Sequence, residues 1–406
     1  MPSSAVYRRR RQVAFSGASA VLLGIVFAVT TLVAPLPAAA VTYAGATPHT
    51  QVGATLVMPG YGESAIAADG FGTLATDGPQ DQVPIASITK VITALVVLDA
   101  HPLADAADQG PTLTFTQRDI DILQQTQAEF GSFGSLPDTL QLSEKHSLTM
   151  MLMVSANNYA VSLATWAYGS MGAYLAAANS WLAAKGLTGT VVDDASGISS
   201  GSRSTPADML TIGALVMADA SLAQIVGAPS ADIPGVGLIE NTNTMLGVDG
   251  INGIKTGTTV AAGATLLYSA VLPVGAQSIH VIGVILGAES HKQLNTSLRT
   301  LLASVQANFQ EVTLSAADEV VGTAVTAWGT TANIAATQTV SRIVYSSAPI
   351  TVTPTVKAVT TGAGGTNVGS LEITIGDEKL SIPLALLTAL EDPGAGWRLT
   401  HAGELF

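Results

Sequence analysis

Three short stretches hold the residue types that a serine-centred acyl transfer needs: Ser87-Ile88-Thr89-Lys90, Ser155-Ala156-Asn157, and Lys255-Thr256-Gly257 followed by Thr258. They offer a hydroxyl nucleophile, an amine three residues on that can take its proton, a second hydroxyl with an amide as relay, and a cation beside a hydroxyl to hold an anionic substrate. A serine hydroxyl is a weak nucleophile until a neighbouring base takes its proton. Spacing i, i+3 puts Lys90 on the same helix face as Ser87. Each stretch is weak alone. With seven lysines in the chain, a Lys-Thr-Gly arises by chance fewer than about 0.1 times. All three stretches occur, once each and in this order.

Other chemistries have little support. Cysteine is absent, so there is no thiolate site or disulfide framework, and the six histidines form no His-Glu-x-x-His pattern that would hold zinc. The sequence therefore implies no metal and no cofactor. A formal net charge of -13, with no Lys/Arg cluster beyond the N-terminus, argues against a nucleic-acid partner.

The elements around the three stretches read as strands, then helices, then strands. Gln51 to Met58 and Glu63 to Ala68 flank Pro59-Gly60-Tyr61-Gly62, a hairpin pattern. Ser87 to Leu98 is apolar on nearly every side and stops near His101-Pro102, which predicts a buried helix. A lysine inside it is costly if charged and isolated, so Lys90 needs a lowered pKa or a partner. Ser155-Ala156-Asn157-Asn158 interrupts an apolar helical pattern; taken alone it fits a surface turn with helix-capping residues as well as a polar catalytic corner. Ile251 to Thr258, Thr265 to Leu272 and Ser278 to Leu286 form an antiparallel meander, followed by a helix over Lys292 to Phe309. Taken alone, Lys255 reads as an ordinary exposed strand lysine.

Forty-eight per cent hydrophobic residues over 406 positions give a globular chain of more than one domain. The N-terminus combines Arg8 to Arg11, an apolar run from Val13 to Leu36, and Pro37-Ala38-Ala39-Ala40. Residues 1–40 thus read as an export signal cut after Ala40 or as an N-terminal membrane anchor, with the remainder outside the cytoplasm. Residues 41–309 carry the three stretches. Residues 310–406 form a β-rich domain with strands at Val320 to Trp328, Val340 to Tyr345, Ile350 to Val359 and Val368 to Ile375, and no catalytic constellation.

With these residues in view, the chain resembles the serine D-Ala-D-Ala carboxypeptidases, the low-molecular-mass penicillin-binding proteins. Further stretches in that family's order are Asp194-Ala195-Ser196-Gly197-Ile198, Ser204-Thr205 with Asp208, Asn241-Thr242-Asn243 and Ala262-Gly263. Pro206 departs from the family pattern, and with Thr205 as N-cap it makes a sound helix start. The resemblance implies a mixed α/β (α+β) fold of the penicillin-binding transpeptidase type: an antiparallel sheet flanked by helices, an all-helical cluster, and a small C-terminal β domain. It implies Ser87 as nucleophile, Lys90 as base, Ser155 and Asn157 as relay and orienting groups, and Lys255, Thr256, Gly257 and Thr258 as the substrate-binding strand. The implied partners are peptidoglycan stem peptides as substrate and β-lactams as inhibitors, with membrane association through residues 13–36. A β-lactamase or a noncatalytic wall-binding protein are the alternatives; the former needs an extra carboxylate to activate the deacylating water, and this chain has no Glu-x-x-x-Asn between Asn157 and Lys255.

Overall fold

The computed structural model describes residues 4–44, 53–345 and 348–406. They form two units: residues 53–310, and the N-terminal segment up to 44 together with Glu311 onward.

The N-terminal helix α1 (Ser4–Val33) belongs to the second unit. The larger unit contains α2 (Thr89–Ala100), α3 (Gln117–Ala128), α4 (Glu144–Met153), α5 (Asn157–Tyr168), α6 (Met171–Ala184), α7 (Pro206–Ala218), α8 (Ala220–Gly227) and α9 (His291–Gln306). Its five-stranded antiparallel sheet runs in the order Ile251–Thr259, Gly263–Val274, Gln277–Ala288, Glu63–Ala68, Gly72–Asp77. The Lys-Thr-Gly strand is thus an edge. Strand Gly263–Val274 is buried along most of its length because α7 lies on it and α9 also packs against it. A strand covered on both faces has no solvated side to alternate with, which explains its run of Leu, Tyr, Ala and Val. Helix α9 places Leu294, Leu298, Leu301, Leu302 and Val305 on one buried stripe.

Helix starts follow their capping chemistry. Thr205 Oγ1 accepts the Asp208 N–H at 3.3 Å with Pro206 in the first turn, so that proline has the structural role expected. Ser143 caps α4 through the His146 N–H, and Ser290 caps α9 through the Gln293 N–H.

Two expectations change. Residues 53–58 form no strand, and Gln51 and Val52 lie outside the described residues. Strand Glu63–Ala68 makes its hairpin with Gly72–Asp77, because Asp69-Gly70-Phe71-Gly72 supplies a turn with left-handed glycines, while Gly60 is bound at 2.6 Å to the Asp77 carboxylate. The other change concerns the domain boundary drawn at residue 41. Strand Ala40–Tyr43 pairs with Val320–Val325, so this segment joins the C-terminal sheet. A four-residue strand with one apolar face is stable only where a sheet edge is free to receive it.

The smaller unit is a six-stranded sheet in the order Ala40–Tyr43, Val320–Val325, Thr331–Ala336, Glu378–Leu386, Asn367–Ile375, Ile350–Val356. Ile334, Leu371, Ile373, Leu384 and Leu386 fill its core. Strands Thr331–Ala336 and Glu378–Leu386 were not expected from sequence. A short last helix, α10 (Gly394–Thr400), follows.

Candidate active site

Ser87 lies in a tight turn, Ala86–Ile88, that runs directly into α2. Ala86 adopts a left-handed φ of +49°, unusual for a residue with a Cβ, and this turns the chain so that Ser87 opens the helix. Gly197 makes the turn possible: a Cβ there would fall 1.8 Å from the Ala86 carbonyl oxygen.

Lys90, one turn on, is fully buried. Its Nζ lies 2.9 Å from Ser87 Oγ and 2.7 Å from the Ser196 carbonyl oxygen. The pKa of Lys90 is held well below the ordinary amine range, first by burial and then by the neighbouring Lys255 amine, against a smaller upward pull from Asp194. Both causes disfavour the ammonium and favour the free amine, the form able to take a proton.

The Ser196 carbonyl is held by a turn that Asp194 organises. The Asp194 carboxylate accepts from Ser196 Oγ at 2.7 Å, from the backbone N–H groups of Ser196, Gly197 and Ile198, and from Ser202 Oγ at 2.7 Å. Ala195, within the same turn, presents its carbonyl to Thr93 Oγ1 on α2 at 2.7 Å. Sequence marked this loop as a matching stretch and missed its part in fixing Lys90. A backbone carbonyl has no residue signature, so nothing local could have revealed it.

The second stretch occupies the corner between α4 and α5. Ser155 has φ +61°, the left-handed position that ends α4 and that glycine usually takes. Asn157 opens α5; its N–H donates to the Ser132 carbonyl at 2.8 Å, while Asn158 bonds both the N–H and the carbonyl of Gly134. Helix α5 packs on α2, the helix that carries Lys90. Both Ser155 and Asn157 are buried. Among the described residues, no hydrogen bond joins either side chain to Ser87 or Lys90.

Alternation along strand Ile251–Thr259 sends Lys255 and Gly257 to one face and Thr256 and Thr258 to the other. The Lys255 face meets the Ser87 turn, and a Cβ on Gly257 would stand 3.0 Å from Ser87 N and 2.6 Å from Thr265 Oγ1. Lys255 is buried, donates from Nζ to the Thr256 carbonyl at 2.9 Å, and has its pKa pulled down to about 7 by that burial. This corrects the bland reading of an exposed strand lysine. Thr256 Oγ1 lies 3.2 Å from Thr242 Oγ1.

Thr258 Oγ1 lies 2.7 Å from Nε2 of His291, a residue the sequence reading did not single out. His291 is the first residue of α9, and its pKa is lowered by burial and then by Lys255. It comes from 33 positions further along the chain, so spacing held no clue.

The family model described as D-alanyl-D-alanine carboxypeptidase matches residues 63–290, which is more than half of the chain and holds all three stretches. The chain belongs to this family. The D-alanyl-D-alanine endopeptidase of Pseudomonas aeruginosa is 33% identical over 137 residues, which are 34% of this chain and 40% of that protein. The chain therefore aligns with about two fifths of that relative. Among solved structures, penicillin-binding protein 5 of Haemophilus influenzae has a TM-score of 0.57 at 19% identity, covering 85% of this chain and 99% of that one. Penicillin-binding protein 3 of Streptococcus pneumoniae has a TM-score of 0.58 at 18% identity, covering 83% and 100%. A Streptomyces DD-transpeptidase has a TM-score of 0.53 at 23% identity, covering 62% and 98%. The fold of this family member is that of the penicillin-binding transpeptidases, a mixed α/β structure.

Proposed function

We propose that this chain is an extracytoplasmic serine DD-carboxypeptidase that removes the terminal D-Ala from peptidoglycan stem peptides through an ester on Ser87. The observation that carries the proposal is the buried Lys90 amine 2.9 Å from Ser87 Oγ, its pKa held well below the ordinary amine range by burial and by Lys255.

Ser87 Oγ attacks the carbonyl carbon of the penultimate D-Ala while Lys90 Nζ takes the Oγ proton. The carbonyl electron pair moves onto its oxygen. Backbone N–H groups of Ser87, at its helix start, and of Thr258, on the adjoining strand, stabilise that charge, each typically worth about 3 kcal/mol. The closeness of Gly257 to Ser87 N supports this pairing of helix start and strand. As the C–N bond breaks, the proton returns through Ser155 to the departing D-Ala amine, with Asn157 holding the peptide amide. Lys255 and Thr256 hold the substrate's terminal carboxylate, whose charge restores the ammonium form of Lys255. Water then attacks the ester, releases the shortened peptide and returns a proton to Ser87.

β-Lactams present a strained amide to the same serine and form an ester that hydrolyses slowly. Rapid β-lactam turnover, the β-lactamase reading, is disfavoured by the two nearby carboxylates: Asp194 is committed to its five donors and Asp193 already accepts from Ser199 Oγ.

The test is mass spectrometry of the purified chain after incubation with penicillin, with peptide mapping, alongside D-Ala release from a stem-peptide mimic. A long-lived adduct on Ser87 and D-Ala release are expected. An adduct on another side chain, or neither adduct nor release, would overturn the proposal.

A further inference from the structure

Removal of residues 1–40 would take away parts that the smaller unit uses. Helix α1 includes Ala5–Val33, 29 residues of which an 18-residue stretch has mean hydropathy 2.1, and its side chains are exposed almost throughout before Thr31. At 1.5 Å per residue, the 21 residues from Val13 to Val33 span roughly 32 Å, the thickness of a bilayer's hydrocarbon layer. Arg8 to Arg11 stand at the far end.

At the near end the helix is built into the fold. Thr31 and Ala34 are buried. Arg398, on α10, donates from Nη1 to the carbonyl oxygens of Leu32 at 3.4 Å and Ala34 at 2.8 Å, and from Nη2 to Asp392 Oδ2 at 2.9 Å. The last carbonyls of a helix lack intrahelical partners; in water they need none from protein, whereas at a membrane boundary an unmet carbonyl is costly. A guanidinium there meets them and also complements the helix dipole. The chain then continues as structure: Ala39 N–H donates to the Val359 carbonyl at 2.8 Å, and Ala40 to Tyr43 pair with Val325 to Gly322.

The collar is aromatic as well as cationic. Trp397 lies one residue before Arg398, packs edge-on to Trp328 at 5.5 Å and stacks on His401 at 4.9 Å, while Trp328 Nε1 donates to the Glu391 carbonyl. Both tryptophans are partly exposed, and Leu399 and Phe406 project into solvent. Half-exposed indoles with a nearby arginine suit the lipid headgroup layer, where one part of the ring is apolar and the other wet.

We infer that α1 stays on the mature protein as a transmembrane anchor, and that α10 with Trp328, Trp397 and Arg398 forms a collar around its exit, seated in the headgroup layer of the bilayer. This rests on the export reading above and is independent of the chemistry at Ser87.

The test uses the full chain recovered from membranes of an expressing bacterium. The expected intact mass includes residues 1–40, and the chain resists an alkaline wash. In vesicles containing lipids spin-labelled near the headgroup, tryptophan emission is quenched, and that quenching is lost in the double variant Trp328→Phe with Trp397→Phe. Exported protein that begins at Val41 overturns the anchor while leaving export and the Ser87 adduct intact. An intact, wash-resistant chain whose quenching is the same in the double variant overturns the collar. A chain whose folded units remain on the cytoplasmic side overturns both the inference and the export reading.

Discussion

Gly257 faces Ser87 so closely that a Cβ on it would stand 3.0 Å from the Ser87 backbone nitrogen. The strand and the helix start that form the proposed oxyanion site are therefore in contact through a residue without a side chain. Gly257→Ala must push them apart by a few tenths of an ångström or more. Misplacements of about 1 Å can slow reaction on the order of 100-fold. Acylation by a fluorescent penicillin should fall by roughly tenfold to 100-fold with little change in melting temperature; an unchanged acylation rate would remove this contact from the site.

Lys255 ties stability to pH. Burial lowers its folded pKa to about 7 from an ordinary value near 10.5. Between these values the unfolded chain binds the extra proton, so stability rises with pH across that window and this contribution is flat below about 7. In Lys255→Met the rise should shrink, as measured by thermal melts from pH 7 to 10. The same variant removes a like charge from Lys90, raising that amine's pKa, so the acid limb of the acylation profile should move to higher pH. No movement of the limb would mean that the two amines do not communicate.

His291 hydrogen-bonds to strand Ile251–Thr259 through Thr258. Losing one hydrogen bond at the rim should weaken ground-state binding more than the chemical step. For His291→Ala, KM for a stem-peptide mimic should rise roughly tenfold, about 1.4 kcal/mol, with kcat within about twofold. A fall in kcat with KM unchanged would assign this imidazole to the reaction itself.

Ser155 is held at a backbone angle that favours glycine. Left-handed geometry costs about 1 kcal/mol or more for an L residue, and glycine's greater freedom when unfolded offsets part of the relief. Ser155→Gly should therefore leave stability unchanged or raise it by up to ~1 kcal/mol, while Ser155→Ala keeps the strain. Both lose the hydroxyl proposed as relay, and D-Ala release should fall by roughly 100-fold to 10,000-fold. Thermal melts and turnover measured together would show it; a glycine variant with near-normal turnover would sink the relay role.

What the sequence determined by itself is local. The i, i+3 spacing of Ser87 and Lys90, the apolar helix around them and the three consecutive strands from Ile251 to Ala288 follow from periodicity and turn chemistry, which act over a few residues. The family resemblance rested on the same short stretches. Only the tertiary structure decided which distant groups meet. Lys90 finds its second partner at the Ser196 carbonyl, 106 residues away, and Thr258 finds His291. Strand Ala40–Tyr43 crosses to the C-terminal sheet, and Arg398 reaches back to the end of α1. Backbone carbonyls are common to every residue and strand partners are chosen by whichever edge is free, so neither choice is encoded near the residues it affects.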